Sequence, residues 1–223
     1  MTAAAGSGGA ASASALDPTR VWRYDGEILG VGSASGTRLV VGLWRRSPFG
    51  TFADVMVEDP GGRRTLLAPS REIADEVARL YRFDQVRLGP VRVQGSAASD
   101  AHPGLLVVSA PGLRLTVTLG GRDGLGRVLS LLPRGLAAST SWARVVDAPA
   151  RLLAPGVRTA GLTRDGRRAT YGAWDRRRAI AVEGTWSGED LGVLAPVDPP
   201  VRFGFGSSPR APGLTRVVTT VRP

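Results

Sequence analysis

The 223-residue chain contains no cysteine, no lysine and no asparagine, and its single histidine is His102. Without cysteine there can be no disulfide, no thiolate nucleophile and no cysteine-bound zinc. Without lysine there can be no Schiff base, no pyridoxal phosphate attachment and no P-loop lysine. A Ser-His-Asp triad would have to use His102, which lies in a loop-like run and is predicted to be exposed. The sequence therefore predicts no metal site and no cofactor.

Long apolar runs are also missing. No segment approaches the roughly 20 consecutive apolar residues of a membrane-spanning helix, so no transmembrane segment is predicted. Residues 1–16 are mostly alanine, glycine and serine without charge, unlike the basic and apolar regions of a secretion signal. We expect a disordered tail over 1–16, a single β-rich domain over 17–223 and a cytoplasmic protein.

Positive charge is abundant and unevenly distributed. All 29 basic residues are arginine, against 19 acidic residues, which gives a net charge of +10. Residues 110–180 hold 13 of these arginines and only 4 acids. Such a segment attracts anions at low ionic strength, including nucleic acid, phosphate and anionic lipid. A solvated, soluble surface explains the same charge without a partner.

Short segments with the alternation of β-strands follow one another along the chain. The predicted strands are 21–24, 27–31, 38–44, 52–58, 63–67, 86–93, 105–109, 113–119, 169–174, 179–186, 202–205 and 215–221. Helices do not alternate regularly with these strands, which disfavours a doubly wound fold. The sequence predicts a mainly β (α+β) fold with a few helices, in which an antiparallel sheet is closed or nearly closed into a barrel or cone.

Three helices are predicted between the strands. The first has Ser70 as its N-cap and an apolar stripe from Ile73 to Tyr81, opposite a charged face. The second covers about 125–132, and the third begins at 139–141 and ends before Pro155.

Five arginines carry the hypothesis of an anion-binding surface. Arg122 and Arg127 flank a glycine-rich loop that leaves a strand and enters a helix, where unpaired N–H groups could bind an anion. The spacing matches neither the dinucleotide fingerprint nor the P-loop, and a glycine-rich turn explains it without a ligand. Arg176, Arg177 and Arg178 follow two aromatic residues that could stack on bases, but no known nucleic-acid-binding motif accompanies them.

The most informative stretch is Ser47-Pro48-Phe49-Gly50-Thr51-Phe52-Ala53-Asp54, which enters a predicted strand. It resembles the turn-and-strand signature of the acetoacetate decarboxylase-like superfamily, in which a small-Pro-apolar-Gly-x-aromatic-x run ends in an acid. The resemblance implies a cone-shaped β-barrel whose ligand cavity receives this acid. The catalytic lysine of the decarboxylase has no counterpart here, so Schiff-base decarboxylation is excluded.

The resemblance places Asp54 at the cavity carboxylate, as an acid–base or hydrogen-bonding group. The predicted ligand-binding residues around it are Trp44, Arg46, Phe52, Met56, Phe203 and Phe205. The last two belong to a Gly-aromatic strand that suits a cavity wall or a barrel corner. In the alternative interpretation, Asp54 is an edge-strand carboxylate paired with an arginine.

Two functions stay open at this point. The first is a β-barrel domain that binds a small acidic organic or acyl ligand through Asp54 and an arginine, without Schiff-base chemistry. The second is a non-enzymatic arginine-rich module that binds nucleic acid, phosphate or anionic lipid through residues 110–180. The sequence does not decide whether the protein is an enzyme.

Overall fold

The computed structural model describes residues 20–96, 98–131, 133, 135, 159–204 and 208–223. In chain order the elements are β1 (Trp22–Ser33), β2 (Arg38–Arg46), β3 (Phe52–Glu58), β4 (Arg64–Ala68), α1 (Arg71–Leu80), β5 (Gln85–Leu88), β6 (Arg92–Gly95), β7 (Gly104–Ala110), β8 (Leu113–Arg122), α2 (Gly124–Ser130), β9 (Ala160–Leu162), β10 (Arg168–Trp186), β11 (Glu189–Asp190), β12 (Leu194–Ala195) and β13 (Gly213–Arg222). This confirms the prediction of a mainly β fold with few helices.

All these strands belong to one sheet, which curls into an open half-barrel. Its main path runs β5-β4-β3-β2-β1-β13-β10-β8-β7-β6, and β9, β11 and β12 pair beside this path. Strands β5 and β6 form the two edges, although only residues 89–91 separate them along the chain. A linker of this length spans at most roughly 14 Å, so the two edges stay near each other at this end.

Two details of the predicted architecture are wrong. The sheet does not close, because β5 and β6 are not hydrogen-bonded to each other. The sheet is also mixed rather than purely antiparallel, since β4 and β5 run parallel. Helix α1 connects these two strands, and such a crossover returns the chain to the same direction.

The predicted strands 21–24 and 27–31 form one continuous strand, β1. The sequence Asp25-Gly26 is typical of a turn, but the register shifts here by a β-bulge and the strand continues. A Cβ on Gly26 would lie 1.9 Å from the carbonyl oxygen of Leu43, so only glycine permits this approach of β2.

Other strand limits also differ from the prediction. Segments 169–174 and 179–186 join into β10, whose register shifts once against β13 and twice against β8. Segment 86–93 instead splits into β5 and β6 at Gly89, which has a φ of 158°. Residues 202–204 form no strand, and the predicted third helix lies outside the described residues.

The two faces of the sheet pack into different cores. The concave face buries side chains from both halves of the curl, including Leu29, Val55 and Leu115. On the convex face, Met56 and its neighbours pack against α1 and the segment 197–203. Successive residues of β3 therefore point into different cores, which explains why Ala53–Glu58 is buried throughout.

Helix α1 begins where the sequence predicts. The Ser70 hydroxyl accepts a hydrogen bond from the backbone N–H of Ile73 at 3.3 Å, and Ile73 and Val77 are buried. Glu76 is buried as well. Among the described residues, neither helix has the length and apolar character needed to cross a bilayer.

Replacing Ser70 with alanine should lower the free energy of unfolding by about 1 kcal/mol, because the helix loses its N-cap acceptor. Urea denaturation at neutral pH measures this change. Ser130→Ala at the end of α2 is the control and should change stability by less than about 0.5 kcal/mol. Equal losses in the two variants would contradict the capping role.

Candidate functional site

Asp54 lies on the convex face of β3, beneath α1. It borders a cavity of about 50 Å³, here called the helix cavity. The predicted residues Trp44, Phe52 and Met56 border the same cavity. A cavity of this size holds a few water-sized groups rather than an extended organic ligand.

The carboxylate of Asp54 is buried, and no basic side chain within the described ranges pairs with it. Asp54 is 3% exposed, and the indole Nε1–H of Trp44 donates a hydrogen bond to Asp54 Oδ1 at 3.0 Å. Burial raises the pKa of Asp54 to about 7, and the hydrogen bond from Trp44 opposes this rise. No arginine of the described chain forms an ion pair with Asp54, so the edge-strand pairing proposed as an alternative is not present there.

A second carboxylate borders the helix cavity from α1. The Glu76 Oε1 accepts from Arg167 Nη2 at 3.0 Å and from the Tyr24 hydroxyl at 3.4 Å. Burial raises the pKa of Glu76, and the neighbouring Arg167 opposes this rise. Unlike Asp54, Glu76 therefore has a buried cation beside it.

Aromatic side chains form much of the wall of the helix cavity. The Tyr24 and Trp44 rings meet edge to face with centroids 5.6 Å apart, and Phe49 and Phe52 meet likewise at 6.2 Å. The Tyr81 hydroxyl is hydrogen-bonded to that of Tyr171. Burial raises the pKa of Tyr171 to about 12, so this tyrosine stays protonated at neutral pH.

A larger cavity of about 550 Å³ opens on the concave face, between β6 and the adjacent ends of β2 and β3; it is here called the inner cavity. Apolar side chains form much of its wall, including Leu43, Val91, Val93, Leu106, Leu119 and Leu214. Its volume lies in the range of small-molecule sites. Ala53 borders the inner cavity and Asp54 does not, because neighbouring residues of a strand face opposite sides.

Alternating charges lie at the inner cavity, which Glu27, Arg45, Asp175, Arg177 and Arg216 border and which Arg122 and Asp100 do not. They form a chain of ion pairs, here called the rim network, in the order Arg45, Glu27, Arg216, Asp175, Arg122, Asp100 and Arg177. The successive N–O distances are 3.2, 3.0, 4.0, 2.7, 2.9 and 3.3 Å. Because arginines stand at both ends, the rim network carries one more positive than negative charge.

The remaining residues of the predicted ligand site lie elsewhere. Arg46 is exposed, ion-paired with Asp25 at 3.4 Å, and borders neither cavity. Phe203 is buried in the convex core, with its ring centroid 5.7 Å from that of Phe83. Phe205 lies outside the described residues.

Most of the predicted anion-binding arginines contact carboxylates. Arg122 and Arg177 belong to the rim network, and Arg176 is ion-paired with Asp123. Asp123 is also the N-cap of α2, where it accepts from the Gly126 N–H at 2.7 Å. The Asp123 carboxylate thus occupies the helix end of the glycine-rich loop, where the sequence predicts an anion. Arg127 and Arg178 are exposed.

Sequence reasoning did not identify Glu27, Asp175 or Arg216 as site residues. The strand alternation contained a signal for two of them, Glu27 and Arg216. Glu27 extends the buried stripe of Leu29 on β1, and Arg216 follows Leu214 on the same face of β13. In both strands, the charged residue that extends the apolar stripe borders the inner cavity.

No family model, curated protein or solved structure matches the chain. The resemblance of residues 47–54 to the acetoacetate decarboxylase-like superfamily therefore stays a prediction. Within the described ranges, His, Asp and Glu side chains form no group of three or more that could hold a metal ion.

Proposed function

We propose that the half-barrel binds a small amphipathic acid, an organic carboxylate or acyl compound, in the inner cavity. The observation that carries this proposal is an apolar cavity of about 550 Å³ whose rim has more arginines than carboxylates. The apolar part of the ligand would pack against the leucines and valines of the wall, and its carboxylate would lie at the rim.

Arg216 is the rim residue best placed to receive the ligand carboxylate. Its Nε donates to Glu27 at 3.0 Å, and its Nη1 lies 4.0 Å from Asp175. Its side chain is 40% exposed and borders the inner cavity. A planar guanidinium can share its remaining N–H groups with a carboxylate in a two-point contact.

This proposal keeps the ligand class predicted from the sequence and places the site on the opposite face from Asp54. It includes no Schiff-base step, because the chain has no lysine. The arginine-rich module has less support among the described residues of 110–180, since Arg122, Arg176 and Arg177 each contact a carboxylate.

Octanoate is a suitable probe because it combines a short apolar chain with a carboxylate. Isothermal titration calorimetry should detect its binding to the wild type, and Arg216→Gln should weaken that binding about 10- to 100-fold, because a charge-assisted hydrogen bond is lost. Octanamide, which has no charge, should bind both proteins alike.

Arg46→Gln is the matched control, since Arg46 adjoins the rim in sequence but does not border the cavity. It should bind octanoate like the wild type. Absence of octanoate binding to the wild type, or equal affinity in the wild type and Arg216→Gln, would overturn the proposal. Urea denaturation of each variant verifies that it is folded.

A further inference from the structure

We propose that the helix cavity is a second, cation-specific site, which binds a small primary ammonium ion with Asp54 as its counter-ion. This site lies on the opposite face of the sheet from the inner cavity and does not depend on the function proposed there.

The composition of the wall favours a cation. Six aromatic residues border the helix cavity: Tyr24, Trp44, Phe49, Phe52, Tyr81 and Tyr171. Two carboxylates, Asp54 and Glu76, border it as well, and no arginine of the described chain does, although all 29 basic residues are arginines. Aromatic rings combined with carboxylates are the environment in which proteins recognise ammonium groups.

In its ionised form, Asp54 has no counter-charge among the described residues that border the helix cavity. The Oε1 of Glu76 contacts the Arg167 guanidinium at 3.0 Å, but in the described chain Asp54 has only the neutral indole of Trp44 as its hydrogen-bond partner. A buried, ionised carboxylate without a counter-charge is unfavourable. An ammonium ion next to Asp54 would supply the missing charge.

Buried polar atoms without hydrogen bonds provide an independent indication that the helix cavity binds a hydrogen-bond donor. Within the described residues, the Glu76 Oε2 and the Thr219 Oγ1 are buried and have no hydrogen-bond partner, and both residues border the helix cavity. Arg79 Nη1 is 3.7 Å from the Glu76 Oε2, too far for a hydrogen bond. Buried polar atoms in proteins are rarely left unsatisfied. A primary ammonium has three N–H donors, which matches the acceptors on Asp54, Glu76 and Thr219 in number and kind.

The size of the cavity limits the ligand. In a volume of about 50 Å³, each water-sized group needs roughly 10–15 Å³. Methylammonium fits this space, whereas tetramethylammonium is larger and has no N–H donor.

The experiment compares methylammonium chloride with potassium chloride and tetramethylammonium chloride at equal ionic strength and pH 7.5. We expect methylammonium alone to raise the thermal unfolding midpoint of the wild type in a saturable way. The Asp54→Asn variant should lose this response but keep its response to octanoate. Asp84→Asn is the matched control, since Asp84 is an exposed carboxylate paired with Arg64, and it should respond like the wild type.

A calorimetric measurement tests the same site in the unmodified protein. At pH 6 Asp54 is largely protonated, so methylammonium binding should release up to one proton, which titrations in two buffers of different ionisation enthalpy detect. The other groups facing Asp54 are Tyr24, Tyr81 and Tyr171, whose pKa values are raised, and Glu76 beside Arg167. The tyrosines do not titrate in this range, and Asp54→Asn separates Asp54 from Glu76.

Three outcomes would overturn the proposal. They are equal midpoint shifts with potassium and methylammonium, an equal shift with tetramethylammonium, and an unchanged methylammonium response in Asp54→Asn. Loss of octanoate binding with an intact methylammonium response would contradict only the function proposed for the inner cavity.

Discussion

Replacing Glu58 with glutamine should lower the free energy of unfolding by about 3–5 kcal/mol, the largest loss that we expect from a single substitution. Glu58 is fully buried, and its Oε1 lies 3.3 Å from Nη2 of Arg38, which is itself only 5% exposed. Glutamine has nearly the same shape but leaves the Arg38 guanidinium buried without a counter-charge. Urea denaturation at pH 7 measures the loss.

Glu58 also fixes the segment that covers the convex core. Its Oε2 accepts from the backbone N–H of Arg202 at 2.7 Å, and its Oε1 accepts from Arg202 Nε at 2.8 Å. Arg38 Nη1 donates to the carbonyl oxygen of Pro199 at 2.8 Å. The ion pair therefore joins β2 and β3 to residues 199–202, and we expect Glu58→Gln to expose the convex core as well.

Two further variants separate the contribution of the buried Arg38–Glu58 ion pair to stability from that of the exposed Arg202 side chain. The Arg202 side chain is 66% exposed, so Arg202→Ala should lower stability by about 1 kcal/mol or less. The double variant Arg38→Met/Glu58→Leu removes both buried charges and should recover more than half of the loss. If Glu58→Gln proves no more destabilising than Arg202→Ala, the buried ion pair does not have the role that we assign to it.

Local patterns in the sequence predicted the elements that depend on nearest neighbours. The limits of β3 and the N-cap of α1 follow from strand alternation and from the hydroxyl of Ser70, both of which are local properties. The alternation also grouped Phe52, Asp54 and Met56 on one face, and the three residues do border one cavity. It could not show which face of β3 lies inside the curl, because both faces are buried.

The rest of the site depends on contacts between distant parts of the chain. Glu27 and Arg216 are 189 residues apart in sequence and meet only because β1 pairs with β13. The β-bulge at Asp25 and Gly26 helps to set which residues of β1 face β2, and a turn-like dipeptide does not reveal it. Strand register of this kind is decided by the whole fold, so the rim network was not visible in any local pattern.

The two faces of β3 give the protein two chemically different environments. Towards the concave side the sheet presents apolar side chains and a rim with excess arginine, which suits an anion. Towards α1 it presents aromatic rings and Asp54, which suits a cation. Trp44 and Phe52 border both cavities, so the two sites share part of a wall.

Asp54→Asn should make the protein more stable at pH 8 by on the order of 4 kcal/mol, with almost no change at pH 4. The folded-state pKa of Asp54 is about 7, against 3.8 for an ordinary aspartate. Between these values the folded protein keeps a proton that the unfolded chain releases. The contribution of this group is therefore fully present below pH 4 and is lost as the pH rises to 7. Asparagine keeps the acceptor for Trp44 and never ionises, so its advantage should grow across this interval and then level off.

Urea denaturation at half-unit steps from pH 4 to pH 8 measures this difference between Asp54→Asn and the wild type. Asp84→Asn is the control, because the pKa of Asp84 is shifted in the opposite direction. The Arg64 side chain and backbone N–H lower the pKa of the exposed Asp84 to about 2. Its contribution is lost only as the pH falls from about 4 towards 2, so Asp84→Asn should add no slope between pH 4 and pH 8. Glu76, whose pKa is also raised, titrates in both the wild type and Asp54→Asn, and its effect cancels in the difference. A constant difference across the range would mean that Asp54 is solvated in the folded protein, and that the helix cavity holds no dry carboxylate for a cation to neutralise.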